Sequence, residues 1–297
     1  MSKRNLTLLT DLYELTMMQG YFHAKDANET VIFDAFYRTN PDGNGFAIAA
    51  GLEQVVEYIE NLHFDKEDID YLRTTGLFGE DFLEYLSTFK FTGDIYAIPE
   101  GTVVFPREPL VKVIAPIMQA QLVETAILNI INHQSLIATK TSRIVHAARG
   151  DGVMEFGLRR AQGPDAGIYG ARAAMIAGCI GTSNVLCGQM FDVPVKGTHA
   201  HSWIMSFPDE LTAFRTYLRE TLSNCMYPFS RHLRHLKFGY PACDPGIQGD
   251  ARRGNPAYLL RNPYGQRRPR LSLQRGEKNA RCGRFHGRCD LRIQRSR

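Results

Sequence analysis

Apolar residues recur at helical intervals from Leu8 to Tyr21, with Thr10 and Asp11 available as caps where that stretch begins. The period then changes. Val31, Phe33, Ala35 and Tyr37 alternate in strand fashion up to a turn, NPDGNG, at residues 40–45. Gly51 to Leu62 and Phe82 to Phe89 predict amphipathic helices. Three short strand-like pieces follow, Asp94 to Ala97, Thr102 to Phe105 and Leu110 to Ala115, separated by Pro and Gly. Residues 1–130 thus predict an N-terminal domain of antiparallel β-structure and helices.

From Met118 the pattern reads helix, strand, helix. Residues 118–149 predict one long helix or two abutting ones, with Asn132 and His133 at the junction. Beyond it come a strand at Val153 to Phe156, a small-residue helix around Ala171 to Ala177, and strands at Ile180 to Thr182 and Val193 to Lys196. Strands separated by helices of this length argue for parallel β/α units, in a barrel or a doubly wound sheet, over residues 131–220. In either fold chemistry gathers at the C-terminal ends of the strands.

The 297 residues are 44% hydrophobic and 22% charged, close to an average folded protein, which excludes wholesale disorder, a collagen-like fibre and a small disulfide scaffold. No apolar run reaches the roughly 18 residues that span a bilayer, and Asp11 interrupts the start before a signal-type apolar core forms. A soluble, cytoplasmic protein is expected. The net charge of +4 hides a division. Residues 1–220 hold 18 Lys and Arg against 27 Asp and Glu; residues 221–297 hold 17 against 4. Cys179 and Cys187 lie in apolar surroundings, as buried reduced thiols do. In the basic tail Cys282, His286 and Cys289 offer three ligands at unusual spacing without a fourth, so no metal site is read there.

Three stretches concentrate candidate chemistry at expected strand ends. EFGLRRAQGPDAG (155–167) sets Arg159 and Arg160 just beyond a strand, and paired guanidiniums suit a phosphate or a carboxylate because each planar fork donates parallel hydrogen bonds. GTSNVLCGQ (181–189) offers Thr182, Ser183 and Asn184, which can bind phosphate or simply cap a helix. VKGTHAHSW (195–203) places His199 and His201 two residues apart; on a strand they would share one face.

Together these stretches resemble nicotinate phosphoribosyltransferase. LLTDLYELTMMQGYF, FYRTNPDGNGFAIAAGLEQ, FTGDIYAIPEG and LNIINHQSLIATKTSRI are similar to that family's successive blocks, nearly unbroken from Asn5 to about Arg219. The resemblance implies an α/β type II phosphoribosyltransferase fold: an N-terminal α/β domain packed on an irregular TIM-like β/α barrel, incomplete here. It implies transfer of phosphoribose from phosphoribosyl pyrophosphate to nicotinate in NAD biosynthesis, with Mg2+ and with ATP hydrolysis through a phosphohistidine. Residue by residue, it implies that His201 is phosphorylated and that Thr198 and Tyr13 contact nicotinate. Tyr13 would do so across the interface of a homodimer. Arg159 and Arg160 would line the substrate pocket; Ser183 and Asn184 remain the candidate phosphate ligands on their residue types. Nicotinamide and quinolinate phosphoribosyltransferases share the barrel; the opening segment and GTHAHS favour nicotinate. A non-catalytic fragment with a nucleic-acid-binding tail is the other alternative, and the scarcity of aromatics among the tail arginines argues against base stacking and a specific nucleic-acid partner.

After Arg219 the family's stretches resembling LLVDTYDTL, IRxDSGDL and SND are missing. Arg231 to Leu236 reads RHLRHL, which can be encoded CGA CAC CTA CGA CAC CTT. Read one base later, it gives Asp-Thr-Tyr-Asp-Thr-Leu. The same displacement turns Asn262 to Arg270 into Ile-Arg-Met-Asp-Ser-Gly-Asp-Leu and Asp290 to Arg297 into Ile-Cys-Ala-Ser-Asn-Asp-Leu. Three motifs in order with one offset predict a reading-frame displacement near Arg219 or Glu220. Residues 221–297 would then be an out-of-frame basic tail with no selected fold, and the chain as written would have little activity.

Overall fold

The structure is a computed structural model that describes residues 4–24, 27–43 and 45–222. Nearly all of the basic tail, including Cys282, His286, Cys289 and the displaced-frame motifs, lies outside the described residues. Two compact units divide between Gly197 and Thr198.

The first unit opens with helix α1 (Leu12–Ala24), which starts directly after Asp11 and buries Glu14, Leu15 and Met18. Strand β1 (Thr30–Ala35) follows the expected alternation, with Val31, Phe33 and Ala35 turned towards the core and Ile32 exposed. Strand β2 (Ala47–Ile48) leads into helices α2 (Leu52–Glu60), α3 (Lys66–Thr74) and α4 (Glu80–Ser87). Strands β3 (Asp94–Ala97), β4 (Val103–Val104) and β5 (Val111–Pro116) complete two antiparallel sheets, ordered β1-β5-β3 and β2-β4. In β5 Val111, Val113 and Ala115 face the core.

Helix α5 (Ile117–Ala147) is continuous for 31 residues. The junction expected at Asn132 and His133 does not occur: no Gly or Pro interrupts residues 117–147, so nothing breaks the hydrogen-bond ladder. The sequence boundary at residue 130 falls inside this helix. Its buried hydroxyls hold β2 in place. Ile48 N donates to Thr139 Oγ1 at 2.9 Å and Ala50 N to Ser135 Oγ at 3.0 Å. The main core gathers α1, α2, α4, α5 and the β1-β5-β3 sheet around Val55, Phe82, Leu83, Leu86, Leu122 and Val123.

Helices α6 (Pro164–Ile176) and α7 (Val185–Phe191) end the first unit. The strands expected at Val153 to Phe156, Ile180 to Thr182 and Val193 to Lys196 contract to single parallel bridges, Glu155 with Thr182 and Thr182 with Val195. Gly152, Gly157, Gly178 and Gly181 crowd these segments, which limits how far a ladder can extend. The parallel direction is as expected.

The second unit, as far as described, holds α8 (His201–Met205) and α9 (Glu210–Leu222). Asp209 caps α9, accepting from Thr212 N and Thr212 Oγ1, both at 2.8 Å. Among the described residues no helix is long and apolar enough to cross a membrane.

Candidate functional site

The two parallel bridges align three chain segments, and each leads at its C-terminal side into a candidate stretch. Glu155 leads through Gly157 to the 3-10 turn Leu158–Arg160. Thr182 leads to Ser183 and Asn184, and Val195 to Lys196. The topology therefore brings Arg159, Arg160, Ser183 and Asn184 to one edge.

Arg159 and Arg160 are exposed, and neither guanidinium has a hydrogen-bond or ionic partner among the described residues, so both are free to meet an anion. Ser183 is half-buried, and its backbone N–H donates to Glu155 O at 3.0 Å. Asn184 is buried and engaged at both ends of its amide. Its Oδ1 accepts from Cys187 N at 3.1 Å as the N-cap of α7, and its Nδ2 donates to Gly167 O at 3.1 Å. Its side chain thus fixes the turn that presents Ser183.

Two groups absent from the sequence expectations stand out, Glu155 at this edge and Arg172 in the interior of the first unit. The Glu155 carboxylate accepts from Thr182 Oγ1 at 2.5 Å and from Gly157 N. Arg172 on α6 is 2% exposed; it donates to both carboxylate oxygens of Glu100 at 2.9 and 2.6 Å, to Glu53, and to Gln134 Oε1 at 3.1 Å. Burial opposes its charge, but Glu100 and then Glu53 outweigh burial and hold the guanidinium above its ordinary range. Phe191 of α7 stacks 5.4 Å from it. Arg172 so ties α2, α5, α6 and α7 to the turn before β4. The thiols of Cys179 and Cys187 are pushed up to about 11, first by burial and then by the Glu155 charge.

Tyr13 lies on the first turn of α1 and is half-exposed, with Leu9, Leu12 and Met17 also exposed nearby in the chain. Its hydroxyl is held above its ordinary pKa, chiefly by a hydrogen bond to Glu14. Thr198 and His201 belong to the second unit, and both are exposed. His199 and His201 do not share a strand face. Ala200 is the extended N-cap of α8, so the chain turns into a helix at His201 while His199 stays in the preceding loop. The His199 ring packs between Phe214 and Tyr217, with centroids 5.4 and 5.1 Å away. His201 stands at the first position of α8, and its ring makes no hydrogen bond among the described residues. Trp203, the chain's single tryptophan, donates Nε1–H to Ala213 O at 3.1 Å and packs tilted against Phe207 and edge-on against Tyr217.

This mixed α/β fold has solved counterparts. The crystal structure of human nicotinic acid phosphoribosyltransferase superposes with a TM-score of 0.62 at 38% identity, over 67% of this chain and 40% of that one. A nicotinate-nucleotide pyrophosphorylase from Pyrococcus furiosus superposes at 0.59 and 25% identity, over 73% and 48%. The fold is that of the type II phosphoribosyltransferases. Within that class, residues 8–132 match the family model of the nicotinate phosphoribosyltransferase (NAPRTase) N-terminal domain. A nicotinate phosphoribosyltransferase of Mycobacterium tuberculosis is 49% identical over 212 residues, and one of Bacillus subtilis is 46% identical over 223. The family this sequence resembles is therefore nicotinate phosphoribosyltransferase. The match takes in 71% and 75% of this chain but only 46% and 45% of those relatives, so the chain spans less than half the length of the curated relatives it matches.

Proposed function

We propose that residues 5 to about 219 are the first part of an enzyme that makes nicotinate mononucleotide and pyrophosphate from nicotinate and phosphoribosyl pyrophosphate. The observation that carries this reading is the edge at Glu155 and Thr182, where two free guanidiniums and a hydroxyl stand at the ends of adjacent parallel segments, in a chain 49% identical to a protein named for this activity. Departure of pyrophosphate from the ribose carbon builds positive charge on the sugar and releases a highly charged leaving group. Fixed cations that meet that charge supply the stabilisation. Arg159 and Arg160 fill this role, with Ser183 donating to a phosphate oxygen and Asn184 fixing the turn.

His201 is the phosphoryl acceptor in this reading. A neutral ring nitrogen forms a bond to the γ-phosphorus of ATP, the bridging P–O bond breaks, and ADP leaves. An exposed ring at the first position of a helix is open to that attack. Thr198, three residues before it, and Tyr13, from a second copy in a homodimer, contact nicotinate. The exposed apolar residues beside Tyr13 on α1 support a face that a second copy covers. Among the described residues no three His, Cys, Asp or Glu side chains converge as a metal cage. A Mg2+ would enter on the phosphates of its substrate, where it neutralises their charge.

The activity belongs, in this reading, to the product whose frame is restored after about residue 219. The test compares that product with the 297-residue chain for nicotinate-, nicotinamide- and quinolinate-dependent pyrophosphate release. Nicotinate should be the substrate of the restored product, and His201→Ala should remove the ATP-dependent gain. Preference for nicotinamide or quinolinate would reassign the substrate.

A further inference from the structure

The reading of Arg159 and Arg160 as phosphate ligands leaves open what aims them. Neither side chain has a partner among the described residues, so their placement depends on the backbone of the 3-10 turn. That backbone is anchored at one carboxylate. Glu155 accepts from Gly157 N, the residue that opens the turn, and from Thr182 Oγ1 at 2.5 Å. Thr182 is fully buried, and its Oγ1 in turn accepts from Asn184 N at 3.0 Å. A Cβ on Gly157 would come within 2.9 Å of Glu155 Oε1, so glycine lets the backbone close onto the carboxylate. One unbroken series, Asn184 N–H to Thr182 O–H to Glu155 to Gly157 N–H, links the arginine turn to the Ser183 turn.

We propose that Glu155, through Thr182, is a positioning residue that sets the two anion-binding turns in register; the proposal deepens the phosphate reading above and rests on it. The sign of one substitution separates this role from a purely electrostatic one. A carboxylate near an anion site repels the anion, so Glu155→Gln would tighten binding if charge alone mattered. Positioning requires the opposite, because an amide cannot accept from both Thr182 and Gly157 as the carboxylate does. Thr182→Val leaves the charge in place and removes the hydroxyl, and Thr182→Ser keeps it.

The experiment titrates the full chain with inorganic pyrophosphate and, separately, follows amide exchange over residues 157–160 and 183–187 without ligand. Glu155→Gln and Thr182→Val should each weaken pyrophosphate binding by at least about tenfold, with exchange rising in both stretches together, whereas Thr182→Ser stays near wild type. Tighter binding in Glu155→Gln overturns the proposal. So does wild-type affinity in Thr182→Val, or exchange that rises in one stretch only. If the chain binds no pyrophosphate, or if Arg159→Ala/Arg160→Ala binds it unchanged, the phosphate reading fails, and the exchange result still decides whether Glu155 couples the turns.

Discussion

Arg172 carries more of the first unit than its place in the sequence suggests. It sits in GARAA, a run of small residues on α6, and its partners Glu53, Glu100 and Gln134 are 119, 72 and 38 residues away along the chain. No local pattern signals such a group, because what holds it is assembled only by the fold. Removing one partner of a buried ion pair leaves the other desolvated without compensation. Arg172→Met should therefore lower stability by about 3 kcal/mol, mostly through Glu100, since half-exposed Glu53 is screened by water. Urea unfolding monitored by circular dichroism measures this. By contrast Arg159 and Arg160 stand out in the sequence as a charged pair in a Gly/Pro loop beyond a strand, a pattern that serves surface ion pairs as readily as anion binding; the structure leaves both exposed, with no side-chain partner among the described residues. Asn184 was legible only as two alternatives, and the structure gives its side chain to the cap. Cys179 and Cys187 match the expectation of buried thiols. With thiols near 11, about one in a thousand is thiolate at pH 8. Neither should be alkylated by iodoacetamide in the folded protein, as intact mass after quenching will show. Because the folded thiols ionise above their ordinary value of 9.0, the unfolded state loses its protons first, and the stability they contribute is lost as pH rises from about 9 to about 11.

At the scale of elements, strong periodicity was reliable and short pieces were not. Strand β3 falls on Asp94–Ala97 as expected, and β1 keeps the expected face. Helix α3 was missed because KEDIDYLRT buries only Ile69 and Leu72. Its capping box, Asp65 accepting from Asp68 N at 2.9 Å with Asp68 accepting from Asp65 N, was the signal available. Hydrogen bonds from Asp68 N and Asn5 hold the Asp65 carboxyl below its usual range, so this cap is present above that range and weakens as pH falls through it. Strand β2 was invisible as two residues; besides its ladder with β4, Ile48 N and, just beyond the strand, Ala50 N rely on Thr139 and Ser135 of α5. The start of α2 shows a similar dependence. Gly51 has φ of 105°, and a Cβ there would meet Ile130 O of α5 at 3.0 Å. Gly51→Ala should cost about 1–3 kcal/mol through left-handed strain and displacement of α5, measurable as a lower urea midpoint. The shared strand face for His199 and His201 failed because a helix begins at His201, a boundary that two histidines two residues apart cannot reveal.

At the scale of the whole molecule, a net charge of +4 joins an acidic enzyme-like segment to a basic one, and the change falls where the resemblance to nicotinate phosphoribosyltransferases stops. Fold class was legible because several long motifs stand in order. The central claim is that residues after about 219 are the same enzyme read one base out of frame. The most direct measurement is nicotinate-dependent pyrophosphate release by the 297-residue chain beside the product of a gene corrected by one base at codons 219–220. The account predicts an open displaced frame carrying the three missing motifs, an active corrected product and little activity in the chain as written. Family-level activity from the 297 residues, or a displaced frame closed by stop codons before those motifs, would contradict it.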